Sequence, residues 1–428
     1  MGVAAFLFFP YGIAAQVETG SPFMQLYDRD DHPGDYRMWD VAQDHRGFIY
    51  AANSWDILEF DGATWRQIRL RTDRYTVVNN VFADTDSTVY VGAEDDVGYL
   101  APDSLGQMAF VSLRDRLPEG YRDVQQVEAI CSTSEGVFIR SKPHLYRITS
   151  DTTVVVHTDE RIGHLSCADD TAYVQDYTGA LGWVRGDRIE PATDLAALNL
   201  GQVLNIWGDP NGERFVLRPD GFYHIRGDRA APFATDINAW LAERQFLSSI
   251  RRNDGSFALV TNRDEVVLLN PDGQHIETLG RNVGLPDEVI RSIFEDRTGS
   301  LWLGQDTHLA RVDVATPVRY FQQLEGIESD VSEVIRYQGR LHFATRQGLH
   351  RLEPGTQDTP DRVVKVGTSS RHILELNAHG DQMVGILIEG GFAAFRGETH
   401  QVLFPYATDY VRAKADSTLF FIATNDGL

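Results

Sequence analysis

Cysteine is almost absent from this chain, and positive charge is in short supply. Two of the 428 residues are cysteines, Cys131 and Cys167, which excludes a disulfide-rich scaffold and a cysteine-rich zinc site. There are 39 lysines and arginines against 62 aspartates and glutamates, a formal charge of −23. The chain therefore lacks the cationic surface that nucleic acid binding requires. The 13 histidines show no zinc-site spacing, and neither a metal nor a cofactor is expected.

Long apolar runs are also missing, except near the N-terminus. Residues 1–16 carry no charge, residues 3–9 are apolar, and Ala14 and Ala15 are small. This pattern predicts a signal peptide over residues 1–15 and export of the remainder, because the run is shorter than the roughly 20 residues that span a bilayer. No Lys or Arg precedes the run, so a buried N-terminal strand is the alternative.

The residues that are abundant favour strands and turns. The chain has 37 glycines and 11% aromatic residues, and these types favour tight turns and strands. The clearest unit covers residues 290–313 and parses as a strand, a turn at Thr298-Gly299, a second strand, a polar loop and a third strand. Its strands alternate apolar and polar residues, which predicts a half-buried sheet.

This unit recurs along the whole chain. An apolar residue opens the third strand of each repeat, at intervals of 36 to 48 residues. These markers are Ile57, Val97, Leu145, Leu181, Phe222, Val266, Leu309, Leu349, Phe392 and Leu428. A period near 41 with three or four strands is typical of β-propeller blades, and ten units exceed the usual four to eight of one ring.

The predicted fold is therefore all-β, with a seven-bladed β-propeller followed by a truncated second β-propeller. We assign residues 16–323 to the first ring and residues 324–428 to the first blades of the second. Residues 344–349 are echoed by residues 423–428, where the chain stops in mid-strand. The sequence is thus expected to be an N-terminal fragment of a longer protein.

Several repeat positions are predicted to be structural. In the unit around Thr298, Asp296 should accept turn amides, Gly299 should take a positive φ, and Trp302 should fill space between blades. The repeat residues assigned to this structural class are Asp44, Gly47, Gly92, Asp296, Gly299, Trp302 and Gly304. Cys131 and Cys167 take equivalent places in neighbouring blades, beyond the roughly 7 Å Cα limit for a disulfide, so two free, buried thiols are expected.

The motif at residues 291–296 with residues 299–304 resembles the two-component regulator propeller repeat. Residues 39–62 resemble the opening blade of such sensors, and the resemblance spans residues 36–428. It implies a periplasmic sensor with two seven-bladed propellers, a β-sandwich, a membrane helix and a cytoplasmic signalling module, usually a histidine kinase. Those later parts are not in this sequence, and the kind of output module stays open.

Ligand contacts are expected on one propeller face or at the junction of the two propellers. The candidate face holds the loops that lead into the inner strands and the loops between second and third strands. Aromatic faces beside polar groups in these loops suit a sugar. Acidic stretches such as residues 94–96 are interpreted as solvated loops rather than cation sites. The candidate ligand-binding residues are Trp55, Tyr75, Glu94, Asp95, Arg122, Lys142, Tyr177, Arg218, Arg263, Asp306 and His308.

The sequence thus predicts a non-catalytic, periplasmic ligand-sensing ectodomain of a bacterial signal-transduction protein. Its partner would be a small molecule such as an oligosaccharide, with no nucleic acid bound. The full-length protein would be a homodimer anchored in the membrane through its missing C-terminal part. Two alternatives remain: a secreted propeller enzyme acting on glycans, and a protein–protein interaction scaffold.

Overall fold

The chain divides into two compact units in a computed structural model. One unit is Pro22–Val318, and the other combines Met1–Ser21 with Arg319–Leu428. The structure describes residues 20–428 except 71–75, 158–161, 193–194, 196–199, 209–211, 228, 321–326, 328, 356–360, 368–370, 398, 414–419 and 425–428. The expected signal peptide, the expected boundary at residue 323 and the marker Leu428 therefore lie outside the described residues.

The described part of the unit Pro22–Val318 contains seven four-stranded antiparallel sheets, which we number as blades 1 to 7. The chain first forms β1 (Phe23–Tyr27). Blades 1 and 2 contain β2 (Met38–Gln43), β3 (Ile49–Asn53), β4 (Ile57–Phe60), β5 (Trp65–Ile68), β6 (Val78–Ala83), β7 (Val89–Ala93), β8 (Val97–Pro102) and β9 (Met108–Ser112). Blades 3 and 4 contain β10 (Val127–Thr133), β11 (Gly136–Ser141), β12 (Leu145–Ile148), β13 (Thr153–His157), β14 (Ile162–Ala168), β15 (Thr171–Asp176), β16 (Leu181–Arg185) and β17 (Arg188–Pro191).

The remaining blades follow the same order. Blades 5 and 6 contain β18 (Asn205–Gly208), β19 (Arg214–Arg218), β20 (Gly221–Arg226), β21 (Arg229–Pro232), β22 (Phe246–Arg251), β23 (Phe257–Thr261), β24 (Val266–Leu269) and β25 (His275–Leu279). Blade 7 contains β26 (Ser292–Glu295), β27 (Leu301–Gly304), β28 (Leu309–Asp313) and β1. Short helical turns occur at Arg114–Arg116, Glu119–Tyr121, Asn238–Leu241 and Arg281–Val283.

The seven blades form a closed ring. The first strand of each blade contacts the first strand of the next blade, and β26 contacts β2. Blade 7 is completed by β1, which pairs antiparallel with β28 from Phe23↔Asp313 to Tyr27↔Leu309. The N-terminal segment thus supplies the outer strand of the last blade and covers its edge. The prediction of an all-β propeller fold is confirmed.

The third-strand markers have a simple structural meaning. Six of them begin a third strand, as Ile57 begins β4 and Leu309 begins β28. In three other sheets the third strand begins with a glycine and the marker is its second residue, as Gly221 precedes Phe222 in β20. Buried apolar clusters fill the space between every pair of neighbouring blades in the ring. The repeating apolar residues therefore mark the interfaces between blades.

The turn at Asp296 shows how the repeat motif works. The Oδ1 atom of Asp296 accepts the amide N–H groups of Thr298 at 2.8 Å and Ser300 at 3.0 Å, and Oδ2 accepts the Trp302 indole N–H at 2.9 Å. Gly299 has a φ of +81°. Trp302 is 2% exposed, and its ring stacks on Tyr27 of β1 at a centroid distance of 5.8 Å. One carboxylate thus holds the turn and the tryptophan that packs between blades 7 and 1.

The expectation of two free, buried thiols is wrong. Cys131 and Cys167 are half-buried and form a disulfide with a Cα–Cα distance of 5.8 Å. Both lie on inner strands, β10 and β14, which contact each other directly because the blades converge toward the ring axis. Equivalent positions are far apart only in the outer parts of neighbouring blades. The side chain of Ser134 also donates to Asp170 across the same pair of blades at 2.5 Å.

The other unit has its own sheets. Its described residues form two four-stranded antiparallel sheets and one two-stranded sheet. These contain β29 (Val331–Tyr337), β30 (Arg340–Thr345), β31 (Gly348–Glu353), β32 (Arg362–Lys365), β33 (Ile373–His379), β34 (Gln382–Leu387), β35 (Gly391–Arg396), β36 (Thr399–Phe404), β37 (Ala407–Arg412) and β38 (Phe420–Thr424). Within the described ranges, no helix has the length and apolar character needed to cross a membrane.

Replacing Asp296 tests the turn. Asp296→Ala leaves the Trp302 indole N–H and two turn amides without their acceptor, and should lower the free energy of unfolding by about 2–4 kcal/mol. The control is Asp61→Ala, since Asp61 is an exposed turn aspartate that accepts the Ala63 and Thr64 amides. It should cost less than about 1 kcal/mol. Equal losses in urea unfolding would contradict the assigned role of Asp296.

Removing the disulfide should also destabilise the ring. The double variant Cys131→Ser, Cys167→Ser should lose about 2–4 kcal/mol in urea unfolding, because the bond restricts the unfolded chain. Dithiothreitol should produce the same loss in the wild-type chain and no change in the variant. Two titratable thiols in the unreduced, unfolded wild-type chain would show that the bond does not form.

Candidate functional site

One face of the ring carries the loops that lead into the inner strands and the loops between second and third strands. Described residues of this face line several cavities, and we name three of them. The axial cavity, about 400 Å³, is lined by Trp39, Asp40, Asn79, Asn80, Gln126, Val127, Glu128, Ser248, Arg291, Ser292 and Ile293. The rim cavity, also about 400 Å³, is lined by Asp35, Tyr36, Arg37, Ser54, Asp306 and Thr307. The blade 4–5 cavity, about 270 Å³, is lined by Gly163, His164, Gln175, Asp176, Tyr177, Thr178, Gly179, Gly201, Gln202 and Val203.

Bulges at the start of the inner strands shape this face. In β2 the pairing passes from Met38↔Asn53 to Asp40↔Ala52, so Trp39 is an extra residue. The same shift occurs in β6, β10, β14 and β22. A bulge bends its strand and leaves one residue outside the ladder. In the first three blades that residue is Trp39, Asn79 or Glu128, and all three line the axial cavity.

A charged and aromatic network separates the axial cavity from the rim cavity. The Arg291 guanidinium lies over the Trp39 ring, 4.7 Å from its centroid, and its Nε is 2.5 Å from Asp306 Oδ1. The Arg37 Nε lies 3.8 Å from the same oxygen. The Trp39 indole N–H donates to the Ser54 hydroxyl at 3.3 Å. Two arginines are thus held around one tryptophan by a single carboxylate, with both cavities beside them.

Asp40 is the most perturbed carboxyl group of the axial cavity. Its Oδ1 accepts the Val41 amide N–H at 2.9 Å, and its Oδ2 accepts the Val81 amide N–H of blade 2 at 3.2 Å. Burial raises the pKa of Asp40 to about 7, although these hydrogen bonds favour the charged form. Asp40 therefore links blades 1 and 2 and titrates near neutrality.

A second polar group lies around blades 3 and 4. The Nη1 of Arg140 is 2.5 Å from Glu128 Oε2 and donates to the Ile162 carbonyl at 3.0 Å. Burial lowers the pKa of His164 to about 4, and the positive charge of Arg140 acts in the same direction. The His164 imidazole is therefore neutral at physiological pH.

The structure brings some of the predicted site residues together. Asp306 lines the rim cavity, and Trp55 follows Ser54, another of its lining residues. His308 lines an adjoining cavity of about 200 Å³, with its Nδ1 3.1 Å from Glu288 Oε1. These positions belong to blades 1 and 7.

Predicted residues of blades 2 to 5 fall in two other places. Backbone contacts gather Glu94, Asp95 and Lys142 beside Gln125 and Gln126. Tyr177 lines the blade 4–5 cavity. Arg218 pairs with Asp220 at 2.9 Å and reaches toward Gly201 of that cavity.

Three predicted positions are not part of these groups. The Arg122 guanidinium donates to the carbonyls of Leu117 at 3.1 Å and Asp115 at 3.1 Å, so it holds its own loop. Arg263 is exposed in the turn between β23 and β24, outside the three cavities. Tyr75 lies outside the described residues.

Sequence reasoning missed Asp40, His164 and Arg291, as well as Gln175. Each lies within or next to a strand, where the sequence pattern indicates a sheet residue rather than a loop residue. A usable signal was present, because polar side chains interrupt the apolar pattern at the starts of inner strands. Among the described residues, no group of three or more His, Cys, Asp or Glu side chains could hold a metal ion.

The two perturbed groups predict opposite pH dependences of stability. Unfolded Asp40 releases its proton near pH 3.8 and the folded group near pH 7, so its contribution to stability falls as pH rises through this window. Unfolded His164 binds a proton near pH 6.5 and the folded group near pH 4, so its contribution falls as pH decreases through that window.

Single variants separate these contributions. Thermal unfolding from pH 4 to 6.5 should show stability rising more steeply with pH in Asp40→Asn than in the wild-type chain. In His164→Gln the stability should instead fall as pH rises. In both variants the change in Tm across this pH range should be several degrees. Parallel profiles for all three proteins would contradict the assigned titrations.

Comparison with known proteins identifies the repeat. Residues 284–307 match the family model described as "Two component regulator propeller". This stretch includes β26 and β27 and the turn at Asp296. Among curated proteins, none matches the chain significantly.

Solved structures with the same fold include extracellular domains of two-component systems and an enzyme. The extracellular domain of a hybrid two-component system from B. thetaiotaomicron has a TM-score of 0.58 at 13% identity, covering 95% of this chain and 64% of that one. A second such domain from the same organism has a TM-score of 0.50 at 14% identity, covering 95% and 58%. The chain thus spans less than two thirds of the length of these ectodomains. Virginiamycin B lyase from Staphylococcus aureus has a TM-score of 0.51 at 11% identity, covering 68% and 99%.

At these identities the likeness shows the fold, and the family model shows the repeat. The resemblance predicted from the motif at residues 291–304 is confirmed by the match at residues 284–307. The chain is a β-propeller protein that carries a two-component regulator propeller repeat.

Proposed function

We propose that this chain is the ligand-sensing ectodomain of a bacterial signal-transduction protein and is itself non-catalytic. The observation that carries the proposal is the two-component regulator propeller repeat at residues 284–307, set in a closed ring with the fold of sensor ectodomains. In this proposal an output module follows the ectodomain in the full-length protein, as the resemblance implies.

The disulfide supports export to an oxidising compartment. Disulfides persist in the periplasm and outside the cell and are rare in the cytosol, and Cys131 pairs with Cys167. The uncharged, apolar segment within residues 1–16 has the composition of a signal peptide. Both observations favour a periplasmic location.

The ligand-binding face suits a neutral oligosaccharide. Tyr36 of the rim cavity and Tyr177 of the blade 4–5 cavity are 47% and 70% exposed and can stack on the C–H faces of a sugar. Asp, Asn, Gln and Ser side chains beside them can bind hydroxyl groups. A formal charge of −23 disfavours anionic ligands, and the two arginines beside the rim cavity are already paired with Asp306.

Signalling would depend on a difference in ligand affinity between two arrangements of a dimer. A ligand shifts such an equilibrium only as far as its affinities for the two states differ. Because each interface between blades has its own apolar core, the ring would act as one rigid body that changes its packing against a second copy.

A secreted glycan-cleaving enzyme is the second candidate, favoured by one observation. Asp40 lines the axial cavity with a pKa near neutrality, which is a property of general acids. Its two oxygens already accept backbone N–H groups, which is the reason we rank this candidate lower. Asp40→Asn would abolish turnover in an enzyme and leave ligand binding by a sensor in place.

A glycan panel tests the two candidates together. At a concentration of 100 Kd, a neutral oligosaccharide should stabilise the whole chain by about 2.7 kcal/mol, a rise of about 5 °C in Tm. Product analysis of the same mixtures should detect no cleavage. The opposite outcome is cleavage of a glycan by the wild-type chain but not by Asp40→Asn, with no stabilisation by any glycan of the panel. That outcome would favour the enzyme over the sensor.

A further inference from the structure

The blade 4–5 cavity is a small, preformed compartment. Its volume of about 270 Å³ lies just under the roughly 300–1,000 Å³ of sites for drug-sized ligands. Gln175 holds its walls together, because its Nε2 donates to the Gly179 and Gly201 carbonyls at 3.1 and 2.7 Å, while its Oε1 accepts the Val203 amide N–H at 2.8 Å. The Gln175 side chain thus holds loops of blades 4 and 5 in place around a space that is large enough for one ligand ring.

An aromatic side chain stands at the edge of this cavity. Tyr177 is 70% exposed, although its ring lies beside the backbone of Gly163. A Cβ on Gly163 would lie 3.1 Å from the ring, so the glycine leaves the tyrosine room at this position. Asp176 accepts the Thr178 and Ala180 amides at 2.8 and 2.9 Å and shapes the turn that presents Tyr177. An exposed aromatic ring loses the stabilisation that burial would give it. On a turn fixed by hydrogen bonds, it provides a surface on which a ligand can stack.

A polar atom of the same cavity has no partner. His164 lines the cavity, and its Nε2 atom is buried without a hydrogen bond to any described residue. Buried polar atoms are normally paired, so an unpaired nitrogen on a residue that lines the cavity is an indication that this imidazole can bind a ligand or a water. Asp176 is the charged residue among the described lining residues, which disfavours an anion.

We propose that the blade 4–5 cavity is a binding subsite for one neutral pyranose ring, with Tyr177 stacked on its C–H face and the His164 imidazole hydrogen-bonded to a hydroxyl. This inference rests on the proposed function and names the residues that would contact one sugar unit. The open edge at Tyr177 allows the rest of an oligosaccharide to extend over the face of the ring.

Saturation-transfer NMR on the whole chain tests the subsite. The probes are the methyl glycosides of glucose, galactose, mannose and xylose. At least one should bind with a Kd on the order of 1 mM, given the affinity per atom of small ligands. Its transfer should be strongest at the ring C–H protons that face Tyr177.

Variants decide whether binding occurs at this cavity. Tyr177→Ala should weaken the bound glycoside at least tenfold, whereas Tyr177→Phe, which keeps the ring, should stay within about twofold. His164→Leu should also weaken it. Tyr406→Ala removes a tyrosine that is 78% exposed in the other unit and should have no effect.

The possible failures are distinguishable. No transfer from any of the four glycosides, or unchanged binding in Tyr177→Ala, overturns the subsite. If the oligosaccharide panel still stabilises the chain in that case, the sensor function stands and its ligand binds elsewhere. If a glycoside binds at Tyr177 but is cleaved, the subsite stands and the sensor function fails.

Discussion

The antiparallel pairing of β1 with β28 is the constraint on which the ring depends. Phe23 to Tyr27 add the outer strand to blade 7, so one sheet contains both the first and the last strand of the ring and the ring closes. Tyr27 also stacks on Trp302 and packs against Phe60 of blade 1. The closing strand therefore supplies both backbone hydrogen bonds and part of the apolar core between blades 7 and 1. Without it, β28 would present an unpaired edge, which is a site for aggregation.

Closure determines which polar groups remain for function. The inner strands converge, and several of their polar side chains join neighbouring blades: Asp40 accepts the Val81 amide, and the Asn205 side-chain amide donates to the Ser249 carbonyl at 3.1 Å. Those groups already have partners and stabilise the ring. The groups that we propose for ligand binding lie where such links are missing, as at His164, or where an aromatic ring stays exposed, as at Tyr177.

The sequence predicted the repeat well because each repeat encodes its own turn and its own strands. The third-strand markers are local signals, and so is the Asp296 turn, whose carboxylate bonds are all made within six residues. Contacts distant in sequence were not predictable this way. The β1–β28 pair joins residues nearly 300 positions apart, and the Cys131–Cys167 bond depends on how closely two inner strands approach. The predicted residues Asp306 and Tyr177 line cavities, and their role in binding stays a prediction. The strand residues Asp40 and His164 also line cavities, but their position depends on how the blades are arranged around the axis, which a local sequence pattern does not show.

The excess of negative charge and the chemistry of the face both support the neutral sugar that we propose as the ligand. A surface with a formal charge of −23 repels anions at long range, and the nearby cations Arg37 and Arg291 are occupied by Asp306. Burial also disfavours the charged forms of the perturbed groups, because it raises the pKa of Asp40 to about 7 and lowers that of His164 to about 4. In the proposed function, recognition on this face would rely on stacking and on directional hydrogen bonds to neutral groups, which are the interactions that a sugar offers.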